Sequence, residues 1–240
     1  MNGRIRITPS IVPNLFTAMN MFSGFLSIVN SSQGEYNRAA WFIIMAAVFD
    51  ALDGLVARLT KSSSELGVEL DSLSDIVSFG AAPSFLIYSA YLHQFETIGI
   101  IISSLLMIAG GFRLARFNIQ LVGFDKEYFK GLPIPASAIT ISSYLITYYE
   151  KPIGFTEPYS NYIIPLVLVL SFLMISKIKY DTIPKFTPSA IKKKPFHIIF
   201  VLLAVTLLII TKFQALFYIF VFIILFGIFR HIFNRYFKKK

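Results

Sequence analysis

The chain has no cysteine, one tryptophan and three histidines in 240 residues. Disulfides, thiolate zinc sites and a cysteine nucleophile are therefore excluded. Charge is scarce as well. Charged residues make up 15% of the chain and only 13 residues are acidic, whereas 55% are apolar and the mean hydropathy is +0.67. A soluble globule does not carry that balance, and 25 phenylalanines leave no weakly hydrophobic tract to remain disordered. The apolar runs are continuous and do not alternate, which excludes a transmembrane β-barrel. Several reach the roughly 20 residues that a helix needs to cross about 30 Å of hydrocarbon, so the chain reads as an integral membrane protein.

Bounded by charges, Gly, Pro or Asn, the spans fall at about 11–30, 37–59, 70–91, 96–118, 133–149, 160–176, 196–211 and 214–233. The expected fold is an all-α, polytopic helical bundle of about eight transmembrane helices, a six-helix core plus a C-terminal pair. Its expected parts are a core at 1–176, a basic loop at 177–195, and a hairpin with a basic tail at 196–240. Of the 22 Lys and Arg, only Arg38, Lys151 and Lys212 lie on one side of this arrangement. The remaining 19 lie on the other, which the positive-inside rule makes the cytosol, with both termini there. Arg4 and Arg6 before an apolar run resemble a signal peptide, but Pro13, Asn14 and Asn20 interrupt the run and no small-residue cleavage site follows, so a retained first helix is expected. A formal charge of +9 would raise nucleic-acid binding in a soluble domain. Here it is spread along loops facing lipid headgroups, and no nucleic-acid partner is expected. Trp41, Tyr36, Tyr91, Tyr148 and Tyr149 near span ends suit an interfacial belt.

Six of the 13 acids lie between Asp50 and Asp75, and Asp50 and Asp53 sit inside an otherwise apolar span. An ionisable group at the centre of a membrane helix costs about 2.5–3.5 kcal/mol on insertion scales, so it calls for a partner. An ion pair with Arg58 is the plain structural reading. A shared site is favoured by spacing, because Asp50 and Asp53 are three apart and Asp71 and Asp75 four apart, each pair on one helical face. Four clustered carboxylates repel unless a cation neutralises them, and hard oxygen ligands without His or Cys point to Mg²⁺ or Mn²⁺. Gly54 and Ala57 leave the helix surface bare beside them, through small-residue packing or for a ligand.

Taken together, Asp50-x2-Asp53-Gly54-x2-Ala57-Arg58-x8-Gly67-x3-Asp71-x3-Asp75 resembles the signature of the CDP-alcohol phosphotransferase family, with every fixed position matched. Eight residues at fixed spacing coincide by chance on the order of 10⁻¹⁰ per starting position. Further strings look like the phosphatidylserine synthase branch of that family: Pro13 to Thr17, Ser78 to Pro83, Arg113 to Asn118 and Gly131 to Pro135. The resemblance implies transfer of a phosphatidyl group from CDP-diacylglycerol to the hydroxyl of L-serine, giving phosphatidylserine and CMP. It implies two divalent ions held by Asp50, Asp53, Asp71 and Asp75, with Asp75 also the general base. Gly54, Ala57, Arg58 and Gly67 would then meet the CDP-lipid, and a homodimer in the cytoplasmic membrane is expected. Serine carries a carboxylate, for which Arg113 and Arg116, with Asn118, are candidates. Glycerol 3-phosphate and inositol phosphate remain as alternative acceptors. A cation-coupled transporter, which also places Asp residues in the membrane, remains as the alternative from another class.

Overall fold

A computed structural model describes residues 11–60, 65–121, 128–181, 206, 208, 210, 211 and 213–237. They form helices α1 (Ile11–Ser32), α2 (Tyr36–Thr60) and α3 (Glu65–Asp75), a π-helical segment (Ile76–Ala81), and then α4 (Ala82–Ala90) and α5 (Glu96–Leu121). Helices α6 (Ile134–Tyr148), α7 (Ile163–Ile175) and α8 (Ala215–Phe237) follow. Two short antiparallel ribbons complete the described chain. Strand β1 (Tyr128–Lys130) pairs with β4 (Lys179–Asp181), and β2 (Tyr149–Glu150) pairs with β3 (Gly154–Phe155).

The expected count of eight spans is corrected. Among the described residues, five helices are long and apolar enough to cross a membrane: Ile11–Ser32, Tyr36–Thr60, Leu66–Ala90, Leu92–Ile119 and Ala215–Arg235. The segment expected at 133–149 is a helix of 15 residues, and the one at 160–176 is a 3₁₀ turn leading into 13 residues of α-helix. Apolar composition alone made these look like full crossings. Pro133 and Pro135 set where α6 begins, and Tyr149 leaves it in extended conformation. Most of 196–211, along with Lys61, Lys126, Lys185, His197 and the termini at 1–10 and 238–240, lies outside the described residues.

Helix α1 is inverted relative to a helix of a soluble protein. The inward face of α1 is Pro13, Thr17, Asn20, Ser23, Gly24, Ser27 and Ser31, whereas Phe22 is 60% exposed on the outward face. Lipid solvates the phenylalanine as well as any core would, so burial goes to small and hydrogen-bonding residues that allow close helix approach. Gly24 shows how close that is: a Cβ there would lie 2.6 Å from Ser78 Cα. Apolar packing is concentrated farther in, in one buried cluster that includes Ile43 and Ala46 of α2 with Phe79, Leu86, Leu106, Ile141 and Leu170.

The π-helical segment has a local cause. Pro83 at the start of α4 lacks an N–H and would press its ring on the carbonyl four residues back. Widening the turn relieves this, and the Ala82 N–H reaches five residues back to the Val77 carbonyl. Proline and Gly80 therefore reshape the helix immediately after Asp75 and do not break it.

The end of the bundle remote from Asp71 is closed by aromatic rings that pack on one another more than they sit singly in an interface. Tyr36 meets Tyr149 edge-on at 5.3 Å, Tyr148 stacks on Tyr159 at 4.2 Å, and Trp41 meets Phe213 at 5.0 Å. Beside them Lys151 donates to Glu35 at 2.8 Å and holds that carboxyl below its usual range. Helix α8 docks along α6: the Tyr148 and Tyr218 hydroxyls lie 2.6 Å apart, and Gly227 leaves room for the ring of the buried Tyr180 from β4.

Candidate active site

Helices α2 and α3 bring the acids together. Asp50, Asp53 and Asp71 each offer a carboxylate oxygen, and these atoms all lie within 4.8 Å of one another. Asp75, one helical turn beyond Asp71, is buried and interacts electrostatically with Asp50, Asp71 and Asp53. Unit charges at that spacing repel by about 3 kcal/mol per pair at an effective dielectric near 20. Hydrogen bonding relieves little of it. Asp53 Oδ2 accepts from the Thr17 hydroxyl at 3.0 Å, whereas Asp71 Oδ1 and Asp75 Oδ1 are buried with no hydrogen-bond partner among the described residues. Oxygens of this kind, gathered from two helices with no His or Cys among them, suit a hard divalent cation.

Helix α1 forms the third wall. The Ser74 hydroxyl donates to the Thr17 carbonyl at 3.1 Å, and the Ser78 hydroxyl donates to the Asn20 carbonyl at 2.8 Å. These two bonds bracket Asp75 and fix α3 against α1. Thr17 belongs to the Pro13 to Thr17 string noted in the sequence, yet that string gave no reason to assign it a carboxylate partner. The signal was present in the pattern 17, 20, 24, 27, 31: polar or small residues at helical spacing on an otherwise apolar span mark the inward face.

The positions expected to meet the nucleotide are arranged for access. A Cβ added to Gly54 would have no heavy atom within 4 Å, so the helix surface there is open. Arg58 is exposed and donates from Nε to the Gly54 carbonyl at 2.8 Å, which places the guanidinium beside the same opening. It makes no ion pair with Asp50 or Asp53 among the described residues. Ala57 and Gly67 are half-buried on the same two helices.

The three residues expected at the acceptor separate. Arg113 is 7% exposed, faces Asp75 and Asp50 electrostatically and lies over the Phe117 ring at 5.3 Å. Arg116 instead caps α7, donating to the Ile175 carbonyl at 2.9 Å and to the Met174 and Ser176 carbonyls at 3.3 Å. That is the end of a helix where carbonyls lack partners and a cation is favoured. Asn118 Nδ2 donates to Ser72 Oγ at 2.9 Å and ties α5 to α3. Gly131 completes this corner: its φ of +87° and its contact with the Met174 carbonyl and the Arg116 guanidinium leave no place for a side chain.

The sequence profile of CDP-alcohol phosphatidyltransferase matches residues 10–173, more than half of the chain and all of the site just described. This chain belongs to that family. Among its relatives is a CDP-diacylglycerol–serine O-phosphatidyltransferase of Helicobacter pylori, 37% identical over 93% of this chain and 92% of that protein. An archaetidylserine synthase of Methanothermobacter thermautotrophicus is 42% identical over 76% and 75% of the two chains. A CDP-diacylglycerol–serine O-phosphatidyltransferase of Bacillus subtilis is 33% identical over 72% of this chain and 92% of its own. Family membership decides between the enzyme and the carrier that the intramembrane acids alone left open.

Proposed function

We propose that the protein transfers the phosphatidyl group of CDP-diacylglycerol to the hydroxyl of L-serine, releasing CMP. The observation that carries this reading is the convergence of Asp50, Asp53 and Asp71 into one half-buried cluster, with Asp75 beside it, in a chain whose relatives are named for that reaction.

Asp50, Asp53, Asp71 and Asp75 would hold two divalent ions, Mg²⁺ or Mn²⁺, and the unpartnered buried oxygens of Asp71 and Asp75 support that fit. When bound, the ions neutralise charge on the diphosphate and make CMP a better leaving group. The chain does the rest. Gly54 and Ala57 let the nucleotide approach the α2 backbone, Arg58 offers a cation at its edge, and Gly67 keeps α3 clear. Asp75 takes the proton of the serine hydroxyl as its oxygen bonds to phosphorus and the bond to CMP breaks. The reaction needs no covalent enzyme intermediate. Buried and turned toward Asp75 and Asp50, Arg113 is the better placed cation for the serine carboxylate. Arg116 and Asn118 support it by holding α7 and α3 in place.

The acid-bearing end of the bundle faces the cytosol, where serine is available. Residues 1–176 form the catalytic core, and 196–240 form an accessory unit whose last helix rests on α6. The enzyme acts as a homodimer.

The deciding assay measures CMP release from purified protein given CDP-diacylglycerol and Mn²⁺ or Mg²⁺. L-serine, glycerol 3-phosphate, inositol and inositol phosphate are compared as acceptors, and Asp75→Asn serves as control. Serine-dependent, metal-dependent release that Asp75→Asn abolishes is expected. Release with another acceptor would keep the reaction class and overturn the choice of serine.

A further inference from the structure

Asn20 is wholly buried, at 0% exposure, and neither its Nδ2 nor its Oδ1 has a hydrogen-bond partner among the described residues. A buried amide with both ends unsatisfied is strongly disfavoured inside a membrane bundle, and such groups concentrate where function requires them. Its position is informative. Thr17 meets Asp53, and α1 runs antiparallel to α2, so three residues farther along α1 Asn20 stands about 4.5 Å deeper, at the height of Asp50. Across the other contact, α1 runs parallel to α3, and the Ser74–Thr17 and Ser78–Asn20 bonds place Asp75 between these two rungs.

Asp75 Oδ1 is the matching half of the problem. It is buried with no partner among the described residues, and along the chain it lies between Ser74 and Ser78, the two residues that hydrogen-bond to α1. An amide with two donors and a carboxylate oxygen short of one donor therefore lie within about a helical turn of the same height along the bundle axis. We propose that Asn20 is the positioning residue for Asp75. Its side-chain amide turns to donate to one lone pair of Oδ1, which leaves the other lone pair of Oδ1 for a cation and Oδ2 directed at the acceptor hydroxyl. Thr17 does the same for Asp53, so α1 carries an orienting donor on each of two successive turns and supplies no carboxylate itself.

The inference rests on the reading of Asp75 as the base, and the experiment keeps the two apart. Asn20→Leu and Asn20→Ser are compared with wild type and Asp75→Asn, measuring kcat and the serine KM from CMP release and the thermal unfolding midpoint in detergent. Loss of an orienting partner around a metal-bound carboxylate lowers activity about 10–100-fold, so Asn20→Leu should lose kcat on that scale while its serine KM stays within about twofold. Without substrate neither Asn20 nor Asp75 Oδ1 has a partner among the described residues, so a leucine at 20 breaks no hydrogen bond there and the midpoint should hold. Asn20→Ser, with a donor of its own, should recover part of kcat and carries the test if the leucine variant does not fold. Wild-type kcat in Asn20→Leu, with Asp75→Asn inactive, would overturn the positioning role alone. A kcat loss that appears only with a lowered midpoint would overturn it as well, because that is the mark of a structural residue. Full activity in Asp75→Asn would remove the base assignment and this inference with it.

Discussion

Thr17→Val preserves the outline of the side chain and removes the hydroxyl that reaches Asp53 Oδ2 at 3.0 Å. That hydroxyl has one proton, and the Pro13 carbonyl at 3.2 Å competes for it, but the shorter contact is to the charged acceptor. A hydrogen bond to a charged group contributes about 1.5–3 kcal/mol. A partner that orients a metal ligand is worth about 10–100-fold in metal affinity or activity, or about 1.4–2.8 kcal/mol. The two scales agree. The Mn²⁺ concentration for half-maximal serine-dependent CMP release should therefore rise by about 10–100-fold, with most of the maximal rate regained at saturating metal. Thr17→Ser keeps the hydroxyl and should remain within about threefold of wild type, since it loses only a methyl group. The assay is a Mn²⁺ titration of chelator-stripped, purified enzyme. A Thr17→Val curve that overlies the wild-type curve would refute the argument that this bond fixes Asp53.

Gly24→Leu must push α1 off Ser78 and should lower the thermal midpoint by several degrees, whereas Gly54→Leu points into open space. The second variant should keep its midpoint and raise the KM for CDP-diacylglycerol; a normal KM would remove Gly54 from the nucleotide face. Arg116→Leu strips the α7 carbonyls of their donor and should cost about 1–3 kcal/mol in detergent unfolding, while Arg113→Leu should act chiefly on the serine KM. Equal effects of both on KM would merge their roles. The Glu35 carboxyl is held below its usual range by Lys151, so the pair contributes above the ordinary carboxylate range and is lost as pH falls through the lowered value. Acidification should accordingly lower the wild-type midpoint more than that of Glu35→Gln, and parallel curves would count against the pair.

The sequence located most helices to within a few residues because hydropathy reports directly on contact with lipid, and α1, α2, α6 and α7 begin close to where the apolar runs do. It located the acids for a different reason: an intramembrane aspartate is expensive, so four of them at helical spacing have few explanations. Which helices cross in full was less legible. Composition placed apolar runs at 133–149 and 160–176 but could not tell that the helices they form, of 15 and 13 residues, are shorter than the five long spans. The division of labour between Arg113 and Arg116 was hidden too. Both are arginines three residues apart on one helix, and only the tertiary approach of α7 turns the second toward a helix terminus. The π-helical segment was not read from the sequence, because the glycine and proline of Ser78 to Pro83 are compatible with a bend as well as with a widened turn. The short ribbon between β1 and β4 left no trace, as three-residue strands carry no readable alternation.

The inward face of α1 has a consequence for how the protein is made. Alone among acyl chains, this helix would present Thr17, Asn20, Ser27 and Ser31 to hydrocarbon. Three residues, Gln33 to Glu35, join the two, with Gly34 at a φ of +75° giving the reversal. The first two helices therefore leave the translocation machinery as a pair, each shielding the other's polar stripe. Asp53 enters the bilayer with Thr17 at hand to donate to it. Asp71 and Asp75 arrive with the third helix, so the full charge of the cluster exists only once its scaffold is in place.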